Sequence, residues 1–158
     1  MRHRQTIALL ALIGFFIALY LWLYKIGAIG VLKCGSGACE AVQTSRWADF
    51  LGAPVALYGV VGYAVLFLVA LVGAQPAFAT RRAPTVILAV LASSGLLFTL
   101  YLTYLELAVI HAICRWCVGS AVIITVIWVV SMIGLKTWGA GGVGVAQEDR
   151  LPVSLPPP

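Results

Sequence analysis

Apolar residues dominate four stretches of the chain, Ile7 to Tyr24, Pro54 to Gly73, Thr85 to Leu105 and Ile113 to Leu135. Each approaches the roughly 20 residues a helix needs to cross a bilayer. Residues 85 to 135 total 51, and two spans use about 40 of them. With neither Gly nor Pro to mark it, a tight turn is therefore expected near Glu106 to Ala112. The sizeable connection is Lys25 to Ala53, which opens with Gly27, Gly30, Gly35 and Gly37. After Cys39 the pattern turns helical, with Trp47, Phe50 and Leu51 at i, i+3, i+4 and Arg46 and Asp49 toward water. Gly52 suits the stop of that helix, and Pro54 the first turn of the next span. The expected fold is an all-α membrane protein, a four-transmembrane-helix bundle with a short interfacial helix in the first external loop.

Residues 74–84 carry Pro76, Arg81, Arg82 and Pro84 and are expected to form a short loop. From Gly139 the chain is Gly-rich and ends LPVSLPPP. Residues 1–138 are expected to form the membrane domain and 139–158 a disordered Gly/Pro-rich tail. The start, MRHRQTIALLALIGFFIALYLWLY, lacks a small-residue cleavage site after its apolar core. It is expected to stay as an anchor rather than be removed as a signal peptide.

Composition agrees with a bilayer environment. Hydrophobic residues make up 63% of 158 and charged residues 9%, against roughly 25% charged in soluble domains. The net charge of +5 comes from ten scattered Lys and Arg, with no basic run suited to nucleic acid. These residues instead set orientation. Arg2, Arg4, Arg81, Arg82, Lys136 and Arg150 share one side, and Lys25, Lys33, Arg46 and Arg115 the other. The excess puts both termini in the cytoplasm. Cys34, Cys39, Cys114 and Cys117 then face the periplasm or exterior, where disulfides persist.

The cysteines fall in two pairs of different character. In ICRWCVGSAV, Cys114 and Cys117 lie one helical turn apart at the opening of the last span. Unpaired N–H groups and the dipole at a helix start favour an anion and lower a thiol pKa, which is what a redox pair needs. Arg115 adds to the positive potential. In KCGSGACEA, Cys34 and Cys39 flank a small, flexible linker suited to a disulfide that opens and swings. Four cysteines permit three pairings. Two static structural disulfides and a four-thiolate zinc site fit the same count, although nothing else suggests a metal.

The segments CGSGAC, TSRWADFLGAP and YLTYLELAVIHAICRWCVGSA resemble the vitamin K epoxide reductase family, in particular its bacterial and archaeal homologues, over about residues 7 to 135. The order of motifs is specific: loop pair, then Ser45-Arg46-Trp47, then C-x-x-C at the last span. DsbB-type proteins place their C-x-x-C in the first external loop instead. The resemblance implies a four-helix bundle enclosing a quinone, menaquinone or ubiquinone, next to the C-x-x-C. Electrons from a DsbA-like or other thioredoxin-fold partner, acting in trans, would enter at Cys34. Freed Cys39 would attack Cys114, and Cys117 would be released beside the quinone. Catalytic roles are thus expected for Cys34, Cys39, Cys114 and Cys117, and quinone contacts for Ser45, Trp47, Phe98, Cys117 and Ala121.

Glu40 is expected either as a solvated acid at a helix start or as a group that tunes Cys39. Glu106 is expected near water in a snorkelling or structural role, and His111 is a candidate proton relay. The animal enzymes carry a Tyr where this chain has Ala121, and an Asn with no counterpart near Pro54 to Gly59. Both departures favour a plain quinone acceptor over epoxide reduction. The implied function is a membrane thiol oxidase supporting disulfide formation. The alternatives are a vitamin K epoxide or quinone reductase, and a non-enzymatic membrane protein with static disulfides.

Overall fold

The computed structural model describes residues 2–34, 38–79 and 81–148, with the backbone alone for 2, 79 and 138–148. In chain order the helices are α1 (Arg2–Lys25), α2 (Ala38–Thr44), α3 (Val55–Ala74), α4 (Pro76–Ala79), α5 (Ala83–Leu105) and α6 (Arg115–Glu148). The stretches His3–Lys25, Val55–Ala74, Ala83–Ile110 and Arg115–Thr137 are long and apolar enough to cross a membrane, in agreement with the four expected spans. α1 packs chiefly on α3 and α5 on α6, while α1 also meets α6 and α3 meets α5, closing a four-helix ring.

A bundle in lipid gains little by hiding apolar side chains from its solvent, so close packing decides which faces meet. Ala11, Ala70 and Ala92 are completely buried, where their small side chains let helices approach around Ile7, Leu66, Leu88 and Ile127. Large apolar residues such as Leu9, Phe16, Leu68 and Leu97 point outward, toward the acyl chains. Gly14 on α1 leaves room for the ring of Tyr63 on α3, which a Cβ at that position would overlap. The Tyr63 hydroxyl in turn donates to the Ser120 carbonyl on α6 at 2.9 Å. One glycine thus lets three helices be pinned together.

Arg4 makes a second tie at the opposite end of the bundle. Its guanidinium is buried and donates to the carbonyls of Gly73, Phe78 and Arg81 and to the Thr85 hydroxyl. The sequence suggests an orienting charge there. The structure shows a fork of donors satisfying carbonyls at the end of α3 and through the connection to α5, a role the planar guanidinium suits.

The connection between the first two spans departs from expectation. Its short helix is α2, Ala38–Thr44, and does not extend across Trp47, Phe50 and Leu51. Instead a 3₁₀ turn at Arg46–Ala48 leads into a two-residue hairpin, with Asp49 opposite Pro54 and Phe50 opposite Ala53. Leu51 and Gly52 form its turn with φ of 51° and 83°, the paired positive angles that match strand twist in tight hairpins. Lys25 Nζ holds Asp49 at 3.0 Å and the Gln43 carbonyl at 3.1 Å, while the Tyr58 hydroxyl donates to the Phe50 carbonyl at 3.0 Å. These tethers outweigh a helical repeat of only three apolar residues. At the other end, helical backbone runs through Glu148, past the Gly139 boundary where order is expected to stop. Residues 149–158 of the expected tail lie outside the described residues.

Replacing Gly14 by Val should lower the unfolding free energy of detergent-solubilised protein by about 1–3 kcal/mol, the usual cost of overpacking. Thermal unfolding of the purified variant measures this, and an unchanged midpoint would remove the Gly14–Tyr63 contact as a determinant of the bundle.

Candidate redox site

All four cysteines gather at one end of the bundle. Cys34 and Cys39 are joined in a disulfide with Cα atoms 6.0 Å apart, and Cys114 and Cys117 are free. Cys39 lies in the first turn of α2, and both it and Cys34 are buried against Leu21, Leu32, Val42 and Ala56. Cys114 completes the same cluster, with no exposed surface, and Cys117 packs against it. Exchange of Cys34 with a soluble protein therefore requires this covering layer to open.

Cys114 is not inside α6 but immediately before it. Its carbonyl accepts the Val118 N–H at 3.0 Å, the first bond of the helix, which makes Cys114 the N-cap and Cys117 the third helical residue. At that position a side-chain acceptor takes the free N–H groups of the first turn. The Cys114 sulfur does this, receiving hydrogen bonds from the Cys117 thiol and from the N–H groups of Cys117 and Trp116. The Cys117 thiol bond, followed by those N–H groups, holds the Cys114 thiol below the ordinary cysteine value, although burial and the Glu106 charge oppose the shift.

Glu106 occupies a position that the sequence misplaces. The end of α5 widens into a π-helical turn, Glu106–Ile110, closed by His111 in the left-handed conformation at φ 56°. The wider turn buries the carboxyl to 7% exposure instead of releasing it to water. Glu106 Oε2 accepts the backbone N–H of Cys114 at 3.2 Å, and the carboxyl also meets the Cys117 thiol. The signal was present in the sequence, as an acid inside an apolar span. The extra residue of the π turn, which decides where it points, has no such signature.

Cys117 and Glu106 stand where three cavities meet. The first, of about 310 Å³, has walls from all four spans and includes Phe98 and Tyr58. Phe98 stacks with Phe50 of the hairpin and with Tyr58, ring centroids 5.8 and 6.2 Å away, so the hairpin caps this side. The second, of about 40 Å³ under α2, is lined by Ser45 and Trp47. The Ser45 hydroxyl donates back to the Val42 carbonyl at 2.8 Å, and the Arg46 guanidinium lies 5.3 Å from the Trp47 ring centre. The third, of about 430 Å³ between α5 and α6, contains Ala121. The other four residues expected around a quinone, Ser45, Trp47, Phe98 and Ala121, thus all line cavities that Cys117 also lines, but they do not share one chamber. Gln43, Tyr58 and Ser120 line the first cavity without having been singled out by the sequence. They belong to three different helices, and only the packing brings them together.

A disulfide in the loop, a dithiol at a helix start and an apolar chamber beside it define a membrane-embedded thiol–disulfide centre. The chain matches the family model described as Vitamin K epoxide reductase family over residues 5–132, and it belongs to that family. Its function is accordingly of the membrane disulfide oxidoreductase kind, in a family of quinone-linked redox enzymes.

With the protein free of quinone and its Cys114–Cys117 pair reduced, Cys114 should alkylate with a midpoint below the ~8.5 of a free cysteine. Cys117→Ala removes the largest cause of the shift and should move that midpoint upward. Mass mapping of alkylated peptides across a pH series reads it, and an unmoved midpoint would mean that the cap does not control the thiol.

Proposed function

We propose that this protein oxidises a soluble thioredoxin-fold partner, DsbA-like in kind and acting in trans, on the outer side of the plasma membrane, and passes the electrons to menaquinone or ubiquinone. Both termini lie in the cytoplasm in this assignment, and the cysteine pairs face outward. The observation that carries it is the place of Cys117, which packs on the Cys39–Cys114 cluster and also lines the 310 Å³ chamber. Its size suits a quinone head group: it lies at the lower end of the volume range for ligand sites, with mostly apolar walls and polar groups that include Gln43, Glu106 and Ser120.

Quinone supplies an acceptor for two electrons and two protons. The chain's residues do the rest. A partner thiolate attacks Cys34 and frees Cys39, which attacks Cys114 of a Cys114–Cys117 disulfide and releases Cys117. The partner's second thiol then releases Cys34, which closes again onto Cys39 and frees Cys114. The resulting state has a bridged loop pair and a reduced helix pair, as in the present structure. In the last step Cys114 closes onto Cys117 as the pair gives up its two electrons and two protons. A low-pKa sulfur leaves readily when Cys34 closes onto Cys39.

Purified protein given a reduced DsbA-like partner and a quinone should yield quinol and oxidised partner in equal amounts. No quinol with either menaquinone or ubiquinone analogues would sink the proposal. The double variant Cys34→Ala, Cys117→Ala leaves Cys39 and Cys114 as the cysteines. Mild oxidation should join them in one intramolecular disulfide, seen by mass mapping. Two freely alkylating thiols would remove the relay from loop to helix.

A further inference from the structure

We propose that Glu106 is the proton relay between the Cys114–Cys117 pair and the quinone, carrying protons from thiol to acceptor at the edge of the chamber. This rests on the quinone-oxidase assignment above and names a further working residue within it. Glu106 touches both halves of the dithiol, through the Cys114 N–H and the Cys117 thiol. It also lines all three cavities that Cys117 lines, so wherever a quinone approaches Cys117 it approaches Glu106.

Structural duty alone explains the carboxyl poorly. A backbone carbonyl or an amide would accept the Cys114 N–H equally well, and an ionisable group at the end of a membrane span is costly to keep. Among the described residues no ion pair to it is found; the one present, Lys25–Asp49, is elsewhere. Among the described residues, the titratable ones lining the three cavities are Glu106, Cys117, Tyr58 and Tyr63, with no Lys, Arg, His or Asp. Cys114 faces Glu106 through its backbone. His111, which the sequence nominates for proton transfer, is exposed and lines none of these cavities.

The step balances. Two S–H bonds break, one S–S bond forms between Cys114 and Cys117, and two electrons pass to the quinone. Glu106, starting as the carboxylate, takes the Cys117 proton and delivers it to a quinone oxygen. The second proton passes from the Cys114 thiol to Glu106 through the Cys117 sulfur, which contacts both, and on to the second oxygen, leaving Glu106 as the carboxylate.

Glu106→Gln keeps a carbonyl for the Cys114 N–H and removes the exchangeable proton. In protein loaded with quinone it should slow quinol formation by roughly 10²–10⁴-fold, the usual contribution of a positioned acid–base group. Reduction of the Cys34–Cys39 disulfide by the partner, followed without quinone, should keep its native rate. In the same quinone-free variant the Cys114 alkylation midpoint should fall, because the Glu106 charge that raises it is gone. The combination, a more acidic thiol with slower turnover, is one that loss of packing does not produce. Glu106→Asp retains an exchangeable proton and should recover rate relative to Gln. Native-like quinol formation in Glu106→Gln, or an Asp variant no faster than Gln, would overturn the relay while leaving the oxidase standing. Failure of the native protein to make quinol at all would remove both.

Discussion

Lipid offers no hydrogen-bond partner to an open backbone, and the architecture depends on that constraint. Every segment at membrane depth must satisfy its own N–H and C=O groups, so the four spans are helices and irregular backbone collects at their ends. In this chain most of the described irregular backbone falls at one end: residues 26–34, the hairpin around Leu51 and Gly52, and the turn 111–114. The cysteines are confined to that rim for the same reason. A helix start supplies free N–H groups, and a helix start at the membrane surface supplies them beside both water and lipid. Cys114 exploits the first property and Cys117 the second.

The two thiols then differ in depth and surroundings and not in residue type. Cys114 sits at the cap, covered by the loop cluster, with its sulfur held by backbone donors. Three residues later Cys117 has crossed to the chamber side. A C-x-x-C at a helix start thereby spans a boundary that two adjacent residues could not, since neighbours on a helix point to different faces while i and i+3 remain in contact.

How much of this is legible in the sequence depends on which physical rule fixes each part. The spans are legible because bilayer thickness imposes a length, and the cysteine pairs because their spacing survives any detail of the loop. The hairpin is not, since its turn puts Leu51 at positive φ, a conformation that residue composition argues against. Three apolar residues at helical spacing then imitate a helix that tethers from Lys25 and Tyr58 forbid. The burial of Glu106 escapes for another reason: a single extra residue per turn rotates its side chain inward, and nothing local encodes it. The chamber walls come from the crossing of helices, so the sequence offers Phe98 only as a candidate wall on the third span, and Tyr58 and Gln43 not at all.

The Arg4 clamp bears on how the molecule can be assembled. Its acceptors lie 69 to 81 residues further along the chain. When the first helix enters the bilayer, none of those carbonyls has yet been synthesised, and the guanidinium must remain in the aqueous headgroup layer. Only after the start of α5 has emerged can the arginine be drawn under the surface and its donors shared out. The contact therefore closes late, latching the first helix to segments made long after it.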